Sequence, residues 1–167
     1  DMEFVQFHPT GLKKSSILIS ESARGAGGYL VNSKNERFID ELLPRDKVAR
    51  AIDAQIKEGE SVFLDIRHLG ETFIEEELPQ ERKLAKLYEN VDPVHDLVPI
   101  KPVAHYTMGG IEVDSVSMTQ VQGLFAVGEC ANHRIHGANR LGGNSLLELV
   151  VFGKQAGVNA AKFVNNH

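Results

Sequence analysis

Apolar and polar positions alternate over residues 4–7, which predicts a strand at the head of the chain, broken by His8, Pro9, Thr10 and Gly11. The apolar trio Ile17, Leu18 and Ile19 follows, then polar residues to Arg24. Gly25, Gly27 and Gly28 make a flexible corner where backbone can approach another group closely. Residues 29–32 predict a short strand, and Ser33, Lys34 and Asn35 supply turn chemistry. Pro44 is placed as the first residue of a helix in which Val48, Ala49, Ile52 and Ile56 form one apolar stripe, ended by Gly59. Residues 62–66 predict a buried strand. Residues 70–90 predict one or two charged helices interrupted at Pro79, and residues 98–103, which hold Pro99 and Pro102, an extended connector.

From Met108 the texture changes. Residues 111–114 and 121–127 predict strands, the second ending at Gly128 and Glu129. A loop of small and polar residues runs from Cys130 to Asn144, and a long helix follows from Leu146 to about Asn165. Ser145 with Glu148 fits a capping box. Residues 146–152 are apolar almost all round, which predicts that this end is buried, and Gly153 with Gly157 would admit a second backbone. A buried helix start after a glycine-rich loop is a seat for an anion or a cofactor. A core helix after a surface loop accounts for the same pattern. The shift near His105 sets a domain boundary there.

Composition narrows the class. Of 167 residues, 42% are hydrophobic and 25% charged, values of a folded chain long enough for one ordinary domain or two small ones. A net charge of -5 with no tryptophan argues against a nucleic-acid surface. No apolar run approaches the roughly 20 residues of a membrane span. Cys130 is the single cysteine, which excludes an internal disulfide and a multi-cysteine metal site. The chain opens on Asp1 inside a predicted strand, so it reads as part of a longer protein.

Several residues carry candidate chemistry. Arg45 sits in the first helical turn, where a cation opposes the macrodipole at a cost of ~0.3–1 kcal/mol if exposed. It reads either as a solvated arginine offset by Asp46 or as an arginine aimed into a cleft. Ser20, Glu21 and Arg24 put a hydroxyl, a carboxylate and a guanidinium within one turn, although Glu21 and Arg24 also fit a routine helical ion pair. His8 and His105 are candidates whose plain alternative is a hydrogen-bonded structural histidine. His133 and His136 near Cys130 invite a metal, but the surrounding loop supplies no further ligands, and no metal site is expected. Arg140 lies in a glycine-rich run just ahead of an apolar helix; a charge at such an edge needs an anionic partner, and a guanidinium suits a carboxylate.

Taken together, residues 1–12 (DMEFVQFHPTGL), 18–25 (LISESARG), 44–48 (PRDKV), 104–111 (AHYTMGGI), 123–130 (GLFAVGEC) and 136–146 (HGANRLGGNSL) resemble the flavoprotein subunit of the succinate dehydrogenase and fumarate reductase family. They occur in family order across nearly the whole chain. The resemblance implies an α+β fold. Residues 8–105 would form a substrate-capping domain of mixed strands and helices. Residues 1–7 would end one FAD-binding segment, and residues 106–167 would supply the C-terminal strands and long helix of a Rossmann-like FAD-binding domain.

The resemblance also assigns roles. His8, Ser20, His105 and Arg140 look like the groups that hold the two carboxylates of a C4-dicarboxylate, succinate or fumarate. Arg45 looks like the proton donor to the substrate carbon, and Glu21 and Arg24 like its relay to solvent. Glu129, Ser145 and Leu146 match positions that contact FAD. The implied reaction is hydride transfer at flavin N5 with proton transfer at the neighbouring carbon. An iron-sulfur subunit is the implied partner, with the parent enzyme peripheral to a membrane through partner subunits, on its cytoplasmic face.

There are departures. Ser20 stands where threonine is common and keeps the hydroxyl; Ala26 stands where glutamate is common; residues 38–44 are shorter than in many relatives. The family's glycine-rich dinucleotide fingerprint has no match, nor does the histidine segment that can hold FAD covalently. The expectation is therefore no tight flavin binding and no turnover from this chain alone. L-Aspartate oxidase shares most of these motifs, and a non-catalytic domain that keeps the cap for protein interaction is the remaining alternative.

Overall fold

Val62 and Leu64, and likewise Val98 and Ile100, alternate with half-buried neighbours on short strands, and this period-two pattern runs through the larger of two sheets. The computed structural model describes residues 1–166. The chain divides into two compact units, Phe7–Ala104 and Asp1–Gln6 with the chain from His105 onward.

The unit from Phe7 to Ala104 is organised on a four-stranded sheet of order β1-β4-β3-β2. Its strands are β1 (Val5–Leu12), β2 (Tyr29–Asn32), β3 (Val62–Asp65) and β4 (Val98–Thr107). β2 and β3 pair antiparallel with Leu30 opposite Leu64, and β3 and β4 pair antiparallel with Val62 opposite Ile100. α1 (Ser22–Gly25) is a single turn, and α2 (Arg45–Lys57) sets Val48 and Ile52 against the core formed by Leu30, Val62, Leu64 and Ile66. α3 (Glu71–Glu77) and α4 (Pro79–Tyr88) add Ile74, Leu78 and Ala85. Burying each large aliphatic side chain contributes about 1.5–3 kcal/mol.

Where the observed elements differ from the predicted ones, prolines and glycines are the cause. β1 runs through residues 8–11 instead of breaking there. Pro9 has no N–H to lose, and the Thr10 amide turns to His8 Nδ1 at 3.2 Å while the Thr10 carbonyl accepts from Ile19. At Gly11 a Cβ would meet Val103 Cγ2 at 2.1 Å, so the crossing of β1 and β4 admits only glycine. The predicted connector at 98–103 is part of β4: Pro99 stands opposite Phe63, and its carbonyl accepts from the Lys13 amide at 3.1 Å. Pro44 lies one position earlier than expected, as the N-cap of α2. The stripe on α2 buries Val48, Ala49 and Ile52, but Ile56 surfaces.

The other unit holds a two-stranded parallel sheet of β5 (Ile111–Glu112) and β6 (Ala131–Asn132), then α5 (Asn144–Asn166). Residues 121–127 hold a turn at 121–123 and a single bridge from Phe125 to Met118, not a strand. Gly123 adopts φ +80 inside the apolar run, and Thr119 donates to the Leu124 carbonyl at 2.8 Å to close a tight loop.

The head of α5 overturns two expectations. The helix already includes Asn144 and Ser145, and the Glu148 carboxylate does not reach back to cap it. That carboxylate is buried on Tyr106 and His136 instead. The apolar first turns are also exposed: Leu146 by 68% and Val150 by 73%, with Glu148 and Ala156 the buried residues of the helix. The space beside Gly153 and Gly157 is open.

Ile52→Ala should lower stability by about 2–5 kcal/mol in urea denaturation, because Ile52 is 0% exposed and its removal leaves a cavity. Ile56→Ala, at a position 39% exposed, should cost less than about 1 kcal/mol. Equal costs would show that the α2 face is misassigned.

Candidate functional site

The unit from Phe7 to Ala104 brings Glu21, Arg24 and Arg45 together. The single turn of α1 sets Glu21 and Arg24 on one face, and the start of α2 delivers Arg45 to the same carboxylate. Arg45 donates to Glu21 Oε2 through Nε at 3.2 Å and again through Nη2. Arg24 Nη2 donates to Glu21 Oε1 at 3.4 Å. Arg24 lies beneath, its side chain 1% exposed, whereas Glu21 keeps 43% of its side chain in solvent.

The electrostatics follow the geometry. The Arg45 hydrogen bond holds the Glu21 carboxyl below its ordinary range; burial works against this, and the charges of Arg45, Arg24 and His8 work with it. Burial pulls the Arg24 guanidinium below its ordinary value, with Glu21 opposing and Arg45 adding to the shift. The result is an ionised carboxylate bridging two guanidiniums, one buried and one at a helix start.

A residue that sequence reasoning missed completes the cluster. Arg24 Nη1 donates to the Glu41 carbonyl at 2.6 Å, and the buried Glu41 carboxylate accepts from the Leu30 amide at 2.9 Å and from Arg37 Nη2 at 2.7 Å. Burial works to raise the Glu41 carboxyl, but these hydrogen bonds outweigh it and hold it low. Arg37 in turn lies over the Tyr29 ring at 4.1 Å. The one sequence signal was the four-residue spacing of Arg37 and Glu41 ahead of Pro44.

His8 is buried in the same unit, and its Nδ1 accepts the Thr10 amide, which places the ring proton of the neutral form on Nε2. Ser20 is exposed; its Oγ meets Ser22 Oγ and accepts the Ser22 amide at 3.1 Å.

In the other unit Arg140 is buried with its guanidinium 4.2 Å from the centroid of the Tyr106 ring, and Nη1 donates to the Leu141 carbonyl at 3.2 Å. His105, beside Tyr106 at the end of β4, is half-buried. Tyr106 donates to Glu148 Oε2 at 3.0 Å, and the same oxygen meets His136 Nε2 at 2.8 Å. His133 Nδ1 lies 3.7 Å from Glu148 Oε1, its ring stacked on Phe152 and its Nε2 3.0 Å from Ser117 Oγ. Burial lowers the His133 ring's pKa, against the pull of Glu148. His133 and His136 thus share a carboxylate. Tyr106 and Glu148 were not foreseen, because their partners are remote along the chain.

Three further residues bear on a flavin. Glu129 is exposed after the turn at Gly128, and its Oε1 accepts the Thr107 amide at 2.9 Å. Ser145 is half-buried in the first turn of α5, and Leu146 beside it is exposed. A tethered carboxylate, first-turn amides with a hydroxyl, and an exposed apolar side chain match the hydroxyls, phosphates and flat ring of a flavin nucleotide. These residues fit the group.

Comparisons with known proteins bear on the family and the fold. The family described as FAD binding domain matches residues 1–146. The fumarate reductase flavoprotein subunit of Haemophilus influenzae is 49% identical over 97% of the chain, which spans 32% of that protein. The L-aspartate oxidase of Pyrococcus abyssi is 52% identical over 92% of the chain and 32% of its own length. A solved quinol fumarate reductase chain of E. coli superposes with a TM-score of 0.92 at 47% identity, over 98% of this chain and 32% of that one. The chain therefore spans less than two thirds of the relatives it matches. The mixed α/β architecture with open sheets agrees with the expected α+β class.

Burial, reinforced by the hydrogen bond to Glu148, pushes the Tyr106 hydroxyl up from 10.0 to about 12. Its folded value lies above its unfolded one, so the linked stabilisation is complete below pH 10.0 and is lost as pH rises toward about 12. An absorbance titration of tyrosinate should show a late step near pH 12 that disappears in Tyr106→Phe. A late step that survives the substitution belongs to another residue and contradicts the assignment.

Proposed function

The chain belongs to the FAD binding domain family, and from that premise we propose that it is part of a flavin-dependent oxidoreductase that interconverts succinate and fumarate. Residues 8–105 serve as its substrate-capping domain; residues 1–7 and 106–167 contribute to the flavin-binding domain. The observation that carries this reading is the sharing of one half-exposed carboxylate, Glu21, by Arg45 and the buried Arg24.

FAD, when bound, supplies the hydride exchange at N5. Glu129, Ser145 and Leu146 would hold it. The chain's own residues do the rest. Arg140 and His105, with His8 and Ser20, supply donors for the two carboxylates of the dicarboxylate, and a guanidinium matches a carboxylate with two parallel donors. Fixing both ends of the substrate removes the orientational entropy from the barrier.

Arg45 delivers the proton to carbon. A guanidinium has a pKa above about 12 and does not remain deprotonated, so its proton must be replaced almost as it leaves. Glu21 hydrogen-bonds Arg45 and reaches solvent, so it is the residue positioned to do so. Arg24, burial-depressed and fixed on Glu41, completes the relay.

Beyond the chain, an iron-sulfur subunit would exchange electrons with the flavin. No helix among the described residues is long and apolar enough to cross a membrane, so attachment would run through partner subunits, at the cytoplasmic face.

A second reading has its own support. The match to the Pyrococcus L-aspartate oxidase covers 154 residues, whereas that to the Haemophilus fumarate reductase runs over 189, more than the chain's 167, so extra residues of that relative interrupt it. Assay of the full-length enzyme separates the two: aspartate oxidation without fumarate reduction overturns the first reading.

In the full-length enzyme Arg45→Lys should lower fumarate turnover by at least ~100-fold. Dicarboxylate binding, followed by its perturbation of flavin absorbance, should change by less than about threefold. Unchanged turnover means that Arg45 is not the donor.

A further inference from the structure

We infer that Tyr106 is a positioning residue for the Arg140 guanidinium, and that Glu148 holds Tyr106 in place for that purpose. The inference rests on the reading of Arg140 as a carboxylate ligand.

The backbone of Arg140 is clamped first. Gln6 Nε2 donates to its carbonyl at 2.6 Å, and its amide donates to Met108 Sδ at 3.2 Å. A long side chain retains several torsions beyond a fixed backbone, so its charged end needs a second constraint. The Tyr106 ring supplies one at 4.2 Å from Cζ. A guanidinium against an aromatic face loses its freedom to tilt, and the Nη1 bond to the Leu141 carbonyl at 3.2 Å fixes its rotation in that plane, so the direction of its remaining donors is set.

The ring is itself tethered. Its hydroxyl donates to Glu148 Oε2 at 3.0 Å, and its edge meets the His136 ring with centroids 5.9 Å apart and planes at 82°. Glu148 is buried in the second turn of α5, and its Oε2 also meets His136 Nε2 at 2.8 Å. A buried carboxylate bonded on both sides is a rigid anchor, since breaking either bond leaves charge unsatisfied. The order of constraint therefore runs from α5 through Glu148 and Tyr106 to Arg140.

Ordinary core packing of Tyr106 makes a different prediction, and full-length enzyme distinguishes them. Tyr106→Leu should raise KM for the dicarboxylate on the order of tenfold, the scale of a partly desolvated cation–π contact, with kcat within about threefold. Tyr106→Met, of similar bulk without a π face, should do the same, and Tyr106→Phe should raise KM only about threefold through loss of the hydroxyl tether.

The decisive measurement is a double-mutant cycle. On an Arg140→Lys background the Tyr106 substitutions should raise KM no further, because the ring acts through the guanidinium. Additive losses, or KM unchanged in Tyr106→Leu and Tyr106→Met, overturn the inference. If both of these variants fail to fold, the Tyr106→Phe rise and its absence on the Arg140→Lys background are read in the same way. Should Arg140→Lys alone leave KM unchanged, the assignment of Arg140 as a carboxylate ligand falls, and the inference falls with it.

Discussion

Two guanidiniums share one carboxylate at Glu21, and the corner of the chain between Ser20 and Arg45 depends on that arrangement. Removing a cation from water costs several kcal/mol unless it is paired and hydrogen-bonded. Arg24 is almost wholly buried and reaches two acceptors, the Glu21 carboxylate and the Glu41 carbonyl. Arg45 faces a second penalty, because the positive end of the α2 macrodipole repels it. With Glu21 neutral, both penalties would stand uncompensated. The carboxylate is held low for this reason, and the same constraint joins the one-turn α1 to the start of α2.

The second unit solves a related problem with opposite consequences. Glu148 is also a shared carboxylate, but it is buried, and its partners are a phenol and two imidazoles. Glu21 meets solvent and two cations, so protons can enter and leave. Glu148 meets groups that lock its geometry, and burial, reinforced by the hydrogen bond to Glu148, pushes the Tyr106 hydroxyl up. One carboxylate is placed for traffic, the other for stiffness.

How much of this was legible in the sequence depended on the range of the interaction. The strand at residues 29–32 and the stripe of α2 came from local periodicity, and the Glu21–Arg24 pair came from spacing within one turn. Arg45 was singled out because a cation at a helix start is locally unfavourable. Prolines misled: Pro9 suggested a break and Pro99 with Pro102 an extended connector, yet β1 and β4 run through them, proline's fixed φ being compatible with extended backbone. The head of α5 misled in another way, since residues apolar all round read as buried and are exposed here. Glu148 lies 42 positions from Tyr106, and no local rule connects two such residues. Ser145 and Glu148 fitted a capping pattern that burial overrode.

The proposed relay also bears on the choice between the two readings. Oxidising an amine to an imine removes hydride from carbon and a proton from nitrogen, and a neutral amine nitrogen gives up that proton to water without a specialised acid. Reducing an alkene is different: a carbon with almost no basicity must be protonated in step with hydride arrival. Only the second reaction requires an acid held against carbon and reloaded at once. Burying Arg24, opposing a helix dipole with Arg45 and fixing Arg24 on Glu41 are costs that the proposed carbon protonation would account for. Of the proposed roles, the proton relay is therefore the one that rests on alkene chemistry, whereas ligands for two carboxylates would serve either substrate.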